Sequence, residues 1–320
     1  MTDSQLVSVL MPCYRESAKD FTEALASILK QTYHRIEVVV VFDNPDDNTL
    51  YDIAQNYSSH DSRICLVRNE RNLGLAASLE RAFKVSRGQY ICRMDSDDIS
   101  EAQRIERQLS YLEEHELDLV GSYLNAIDED GSQLYLVDSI PSSSEGVRRS
   151  LMIRNCVPHP SWFGRRSVFE MGYRSVPLAE DYDLLLRAEL EGFTIGNVPE
   201  ALIRYRMTVN SISRSNLYKQ FVVSQCLRSA FKEGRSLDVD KIDTIVAERF
   251  DQRRAENYLK ANALFNNGLR NIHSGNRAKG ISQLLQIPFC SKSYLMNVIN
   301  MARVVAIKTF EKTSWLCTYA

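Results

Sequence analysis

Five short apolar runs separated by amphipathic stretches fill the chain from Val7 to Gly121, and that alternation restricts the fold more than any other feature. VSVLM (Val7 to Met11), IEVVVVF (Ile36 to Phe42), ICLV (Ile64 to Val67), YICRM (Tyr90 to Met94) and LDLVG (Leu117 to Gly121) read as strands. Thr22 to Lys30, Thr49 to Tyr57, Leu75 to Ser86 and Ala102 to His115 read as helices, with Ser100 and Gln103 at capping-box spacing before the last. Strand and helix in repetition predict an α/β fold with a mostly parallel sheet flanked by helices.

Beyond Gly121 the rhythm changes. IDEDGSQLYLV places an Asp130-Gly131 turn between extended arms and predicts a hairpin. Ser161 to Phe163, Thr194 to Val198 and Leu202 to Arg206 read as extended, and Asp181 to Glu191 as an amphipathic helix stopped by Gly192. From about Asn216 only helical periodicity remains, so the polar run Asn210 to Asn216 is the expected boundary between a domain over 1–215 and a helical C-terminal region over 216–320. In that region Ala255 to Ile272 and Arg277 to Leu285 form an expected helical pair, broken at Gly275-Asn276. Further on, Leu295, Val298, Ile299, Ala302, Val305 and Ala306 fall at helical spacing, near Lys292, Arg303, Lys308 and Lys312. Such a helix packs on the first domain or its neighbours, or lies peripherally on a membrane surface.

Charge narrows the partners. Lys and Arg number 39 against 41 Asp and Glu, a formal net charge of -2, so the chain has no global attraction to nucleic acid and any electrostatic recognition is local. The opening MTDSQLVSVLMPCYRES lacks the basic start and cleavage site of an export signal, and no run of 18 apolar residues occurs. Seven scattered cysteines without a CxxC pair read as reduced core thiols. Together these features lead us to expect a cytoplasmic protein, able to rest on the cytoplasmic face of an inner membrane.

In an open α/β sheet the ligand lies outside the carboxyl ends of the strands, near a topological switch point. Those ends read Pro12-Cys13-Tyr14-Arg15-Glu16, Asp43-Asn44-Pro45-Asp46-Asp47, Arg71-Asn72-Leu73-Gly74 and Asp95-Ser96-Asp97-Asp98. The first glycine is Gly74, so no glycine-rich loop follows the first strand to cradle a diphosphate. A metal held by carboxylates is the remaining common solution, and hard oxygen ligands select Mg²⁺ or Mn²⁺. Residues two apart in extended chain point to the same side, so Asp95 and Asp97 can share one site. Asp98 would then point away and cap the following helix, while Asp46 and Asp47 read as a helix-start turn.

Six motifs in order, VSVLMPCYRE, SILKQTYHRIEVVVVFD, RNLGLAASLERAF, GQYICRMDSDDIS, HPSWFGRRS and AEDYDLLLR, resemble the inverting family 2 glycosyltransferases with the GT-A fold, of the bacterial glycan-assembly type. The resemblance covers about Val7 to Arg206. It implies that Pro12, Tyr14 and Glu16 surround the base and ribose of a nucleotide, that Asp43 accepts a hydrogen bond from the base, and that Arg71, Asn72 and Gly74 line the nucleotide pocket. Asp95 and Asp97 match the metal-binding pair, with Asp95 also touching the nucleotide, and Asp181 in AEDYD matches the catalytic base. Where many relatives carry a histidine after the last strand, this chain reads RYRMTVNS with Thr208, so the resemblance supplies no third protein ligand. The QxxRW signature of processive synthases is missing, which implies one sugar per encounter.

The reaction so implied is inverting transfer of a hexosyl or N-acetylhexosaminyl group from a nucleoside diphosphate sugar, with UDP the default, to a hydroxyl of a glycan or lipid-linked acceptor in polysaccharide, O-antigen or capsule biosynthesis. Glu180, His159 and Trp162 are weaker candidates for acceptor or supporting contacts. Each also has a plain structural reading: Glu180 and Asp181 as acids favoured at a helix N-terminus, His159 as a loop or core residue, Trp162 as pocket wall. A sugar-nucleotide nucleotidyltransferase would need a glycine-rich loop that PCYRES lacks. A catalytically silent module would usually have lost one of Asp43, Asp95, Asp97 or Asp181, and all four are present.

Overall fold

The computed structural model describes residues 5–207 and 216–318. Four parallel strands, β1 (Val7–Cys13), β2 (Ile36–Phe42), β3 (Ile64–Arg68) and β4 (Tyr90–Arg93), lie in the order β3-β2-β1-β4. They are linked by α1 (Ala18–Leu29), α2 (Thr49–Ser58) and α3 (Leu75–Val85). Both faces of this sheet are covered, which is why its strands read as continuous apolar runs instead of alternating ones. Leu10, Val39, Val41 and Ile91 feed one core cluster, while Val9, Met11, Val38, Val40 and Cys92 feed the other.

After β4 come β5 (Ile99–Ser100), α4 (Arg104–Glu114), β6 (Leu119–Ile127), β7 (Gln133–Val137), α5 (Ser144–Leu151), β8 (Phe163–Arg165), α6 (Arg166–Phe169), α7 (Glu180–Leu190) and β9 (Ile195–Arg206). The sheet continues beyond β4 as β8-β6-β9-β5, with β7 paired to β6 in the expected hairpin and Gly131 at φ 89° in its turn. The two extended segments expected over 194–206 are one strand, with a register irregularity where Val198 and Ala201 meet Ser122 and Tyr123.

The expected capping box is not formed. Ser100 is in β5, and α4 begins after Gln103 without a side-chain cap. The side chain of Gln31, just past α1, takes over: its Oε1 accepts the Ile105 N–H at 3.1 Å, and its amide donates to Ser100 Oγ and the Glu101 carbonyl.

The remaining helices are α8 (Leu217–Lys232), α9 (Ile242–Arg249), α10 (Gln252–His273), α11 (Arg277–Cys290) and α12 (Lys292–Thr318). Tyr218, Phe221, Val222, Tyr258, Ile287 and Tyr294 form a cluster of their own, yet α8 and α12 also reach the main core through Val223 and Val304. Helix α12 is tied further by Lys308, whose ammonium lies 4.2 Å over the Tyr123 ring and donates to the Asp138 carbonyl, and by Glu311, which accepts the Ser142 N–H. It therefore packs on the sheet domain, the first of the two expectations. Among the described residues no helix is long and apolar enough to cross a membrane.

Helices α10 and α11 meet at Gly268 and Gly280. A Cβ on Gly280 would lie 2.6 Å from the Gly268 carbonyl oxygen and 2.6 Å from Ile272 Cγ1. Alanine favours a helix interior by about 1 kcal/mol, but here the helices must first move apart. Gly280→Ala is expected to destabilise the protein by about 1–3 kcal/mol, read as a lower Tm in thermal denaturation. An unchanged or raised Tm would mean that the contact is loose.

Candidate active site

The crossover from β1 outward to β2 on one side and to β4 on the other marks the switch point, and polar strand ends gather there. Ser96 Oγ donates to the Pro12 carbonyl at 2.9 Å, joining the loop after β4 to the end of β1. Glu16 accepts the Tyr14 N–H at 2.7 Å, and burial raises its pKa, opposed by hydrogen bonds from Tyr14 and Ser96 and reinforced by Asp95. Glu16 thus sits against the Asp95–Asp97 loop as well as the Tyr14 turn.

Asp43, at the end of β2, clamps the loop after β3. Its Oδ1 accepts from Asn69 Nδ2 at 2.7 Å and from the Leu73 N–H at 2.8 Å, and its Oδ2 accepts the Gly74 N–H at 2.8 Å. Gly74 adopts φ 83°, left-handed backbone that glycine tolerates, and starts α3. Asn72 also accepts the Gly74 N–H, while the Arg71 and Asn72 side chains are exposed along the rim. Asp47 accepts the Thr49 N–H, the expected helix-start turn.

The Asp95–Asp98 run is organised by two arginines. Arg93, 3 % exposed, lies two residues before Asp95 on the same side of extended chain and pairs with both its carboxylate oxygens, Nη1 to Oδ2 at 2.6 Å. Arg206, from the far end of β9, donates its N–H to Asp98 Oδ1 at 2.8 Å and its Nε to the Asp97 carbonyl at 2.9 Å, and is itself paired with Asp20 and Glu23. Asp98 therefore points into the protein and binds β9; it does not cap α4. Arg104 of α4, wholly buried, donates to the carbonyls of Arg93, Pro160 and Trp162, fixing the end of β4 against the turn at 158–162.

The second acid group opens α7. Asp181 Oδ2 accepts from Asn155 Nδ2 at 2.8 Å, and its Oδ1 accepts the Tyr182 N–H at 2.7 Å. Just before it, Leu178 takes φ 63°, a left-handed conformation costly for leucine, and its carbonyl is held by Gln220 Nε2 of α8 at 3.0 Å. Asp183 is spoken for: Arg174 and Arg187 both pair with it. Of the opposing effects on Asp181, burial wins over hydrogen bonding and the nearby Arg93, so its pKa is raised. Glu180 is pushed up to about 7, by burial first and then by Asp181, with Asp95 adding and Arg93 opposing. Asp95 and Arg93 act on Glu180, and Arg93 acts on Asp181 as well, so both acid groups share one electrostatic site.

His159 and Trp162 lie behind that site. Trp162 is 0 % exposed, donates to the Val157 carbonyl at 3.1 Å and stacks with Tyr173, so it is wall and leaves no face for a sugar. The His159 imidazole meets the Tyr173 hydroxyl at 2.9 Å; burial and Arg93 hold its pKa well below the ordinary value, so it is neutral. It supports the wall and offers no cation.

Oxygens of Asp95, Asp97 and Asp98 lie within 4.8 Å of one another, a span that one hard divalent cation bridges. Asp98 Oδ2 is buried without a hydrogen-bond partner among the described residues, and Asp97 is pushed up to about 7 by burial, Asp95 and Glu16. Surplus negative charge, an orphaned oxygen and all-oxygen donors fit Mg²⁺ or Mn²⁺. Thr208 lies outside the described residues.

Sequence reading missed Arg93, Arg206 and Asn155. Arg93 carried a signal, since a charge inside the apolar run YICRM must be paired when buried. Arg206 and Asn155 carried none, because their partners stand 108 and 26 residues away.

Residues 8–172 match the glycosyl transferase family 2. The chain is similar to an uncharacterized glycosyltransferase of Methanocaldococcus jannaschii, 31% identical over 225 residues that make up 69% of this chain and 78% of that protein. It is also similar to the O-antigen biosynthesis glycosyltransferase WbnJ of Escherichia coli, at 28% identity over 71% of this chain and 90% of WbnJ. In three dimensions it is similar to S. aureus TarS 1-349 in complex with UDP-GlcNAc, with a TM-score of 0.57 and 16% identity over 97% of this chain and 92% of that one, a likeness that identifies the fold as GT-A-like. More than half of the chain lies within the family match, so the protein belongs to glycosyl transferase family 2.

Proposed function

We propose that the protein transfers one sugar from a UDP-sugar to an acceptor hydroxyl with inversion, in assembly of a bacterial surface polysaccharide or O-antigen. The observation that carries this reading is the pairing of an all-oxygen acid cluster with a separate buried carboxylate pair around one cation, Arg93. The UDP-GlcNAc bound to TarS and the O-antigen biosynthesis role of WbnJ support the donor class and the setting.

Asp95 and Asp97 would hold the divalent cation, which when bound supplies positive charge beside the leaving diphosphate. The Tyr14 turn and the Arg71–Gly74 loop hold the nucleoside, with Asp43 fixing that loop and keeping acceptor capacity at Oδ2 for the base. Asp181, oriented by Asn155, takes the acceptor proton as the acceptor oxygen attacks the anomeric carbon and the bond from that carbon to the diphosphate breaks. A raised pKa strengthens a carboxylate as a base, provided the working pH keeps it ionised. Glu180, at about 7, is the second reading for this role. A glycan, free or lipid-linked, supplies the acceptor.

Released UDP, measured with a panel of UDP-sugars and Mn²⁺, tests the activity, and chelation of the metal is expected to abolish it. Asp181→Asn is expected to keep donor binding and to lower transfer by about 10²- to 10⁴-fold. If Glu180→Gln shows that loss and Asp181→Asn does not, the base is Glu180.

Asp97 also predicts a pH dependence of stability. Its folded pKa is raised to about 7 from 3.8, so stability is fully present below about pH 4 and is lost as pH rises through 7. Without metal, Asp97→Asn is expected to raise stability at pH 8 by about 1–3 kcal/mol, with a gain that shrinks towards pH 4. Mn²⁺ should raise the Tm of the parent more at pH 8 than at pH 5, since the ligand must be ionised, and should barely move Asp97→Asn. Equal metal responses in the two proteins would remove Asp97 from the site.

A further inference from the structure

Helix α11 turns its Gly280 and Ile287 side against α10 and leaves an apolar row in solvent. Ile281, Leu285 and Phe289, at four-residue spacing, are 52%, 67% and 92% exposed. After Ser291, helix α12 carries Lys292, Met296, Ile299 and Arg303 at spacings of four, three and four, all exposed. The inward residues here are Leu295 and Val298, which pack on the helical cluster. The outward row is therefore not the full stripe that periodicity marks on α12, and its most exposed members belong to α11.

Charge selects what covers this surface. In a chain of net charge -2, no Asp or Glu occurs between Arg277 and Phe310, while Arg277, Lys279, Lys292 and Arg303 are exposed there. Large apolar side chains flanked by cations suit the boundary between anionic lipid headgroups and acyl chains. A symmetric dimer through the same face would set those cations against their own copies.

We propose that the outer face of α11 and the start of α12 dock reversibly on an anionic phospholipid surface. Ile281, Leu285 and Phe289 enter the headgroup boundary, and the four cations lie among the headgroups. This rests on exposure and charge, not on the sugar chemistry, so it stands or falls separately from the proposed transfer. Its consequence would be to hold the enzyme beside acceptors anchored in the same lipid.

Flotation of the full chain tests this with vesicles of phosphatidylcholine alone and of phosphatidylcholine with phosphatidylglycerol, at low and high salt. Binding is expected only to the phosphatidylglycerol vesicles, weakened by salt, and reduced about tenfold or more in Leu285→Glu/Phe289→Glu. A second variant, Arg277→Gln/Lys279→Gln/Lys292→Gln, keeps the apolar row and should lose the preference for the anionic vesicles. Circular dichroism and a cooperative thermal transition like the parent's check that both variants are folded. Failure of the parent to float, or equal flotation of the second variant, overturns the proposal. So does a dimer seen by sedimentation that Leu285→Glu/Phe289→Glu dissolves, since a second copy would then cover the face.

Discussion

The pairing of the buried Arg93 guanidinium with Asp95 is the interaction on which the rest of the site depends. Taking a charge out of water is costly unless it is paired, and Asp95 pairs it at both oxygens. Its field then reaches Asp97, Asp98, Glu180 and Asp181, each of which it helps to keep ionised against burial. Arg93, even with the more distant Arg104, does not neutralise so many acids. The surplus appears as Asp97 and Glu180 held up near 7 and as an unpartnered oxygen on Asp98. Such a constellation lowers the stability of the protein alone and suits a site completed by a divalent cation.

Holding the acids in place draws on residues distant in the chain. Arg104 locks the end of β4 to the turn at 158–162, and Arg206 brings the end of β9 under the Asp97–Asp98 loop. Asn155 and Gln220 secure the opening of α7, so a helix of the C-terminal region touches the backbone that presents Glu180 and Asp181. The left-handed Leu178 at that point is held by the Gln220 amide on its carbonyl.

Helices α8 to α12 are more closely joined to the sheet than their separate periodicity implies. Val223 and Val304 enter the main core, and α12 is fastened by Lys308 and Glu311, while α11 keeps its apolar row outside. Helical spacing gives each helix an apolar side, but it does not say which neighbour that side meets.

By itself the sequence determined the parallel core, because runs such as IEVVVVF are apolar at every position but one and suit a sheet covered on both faces. It also placed the acids at strand ends and a helix start, since local spacing fixes which side of the chain a residue faces. Capping and pairing escaped it. Gln31 replaced the expected capping box and Asp98 turned inward to β9, while between the two readings open for Trp162 and His159 burial chose the structural one. Only the tertiary structure decided these, because each is settled by a partner brought close by the packing of other elements. The charge states of Asp97, Glu180 and Asp181 follow from the same cause, since burial and neighbours set a pKa and neither is a property of the local sequence.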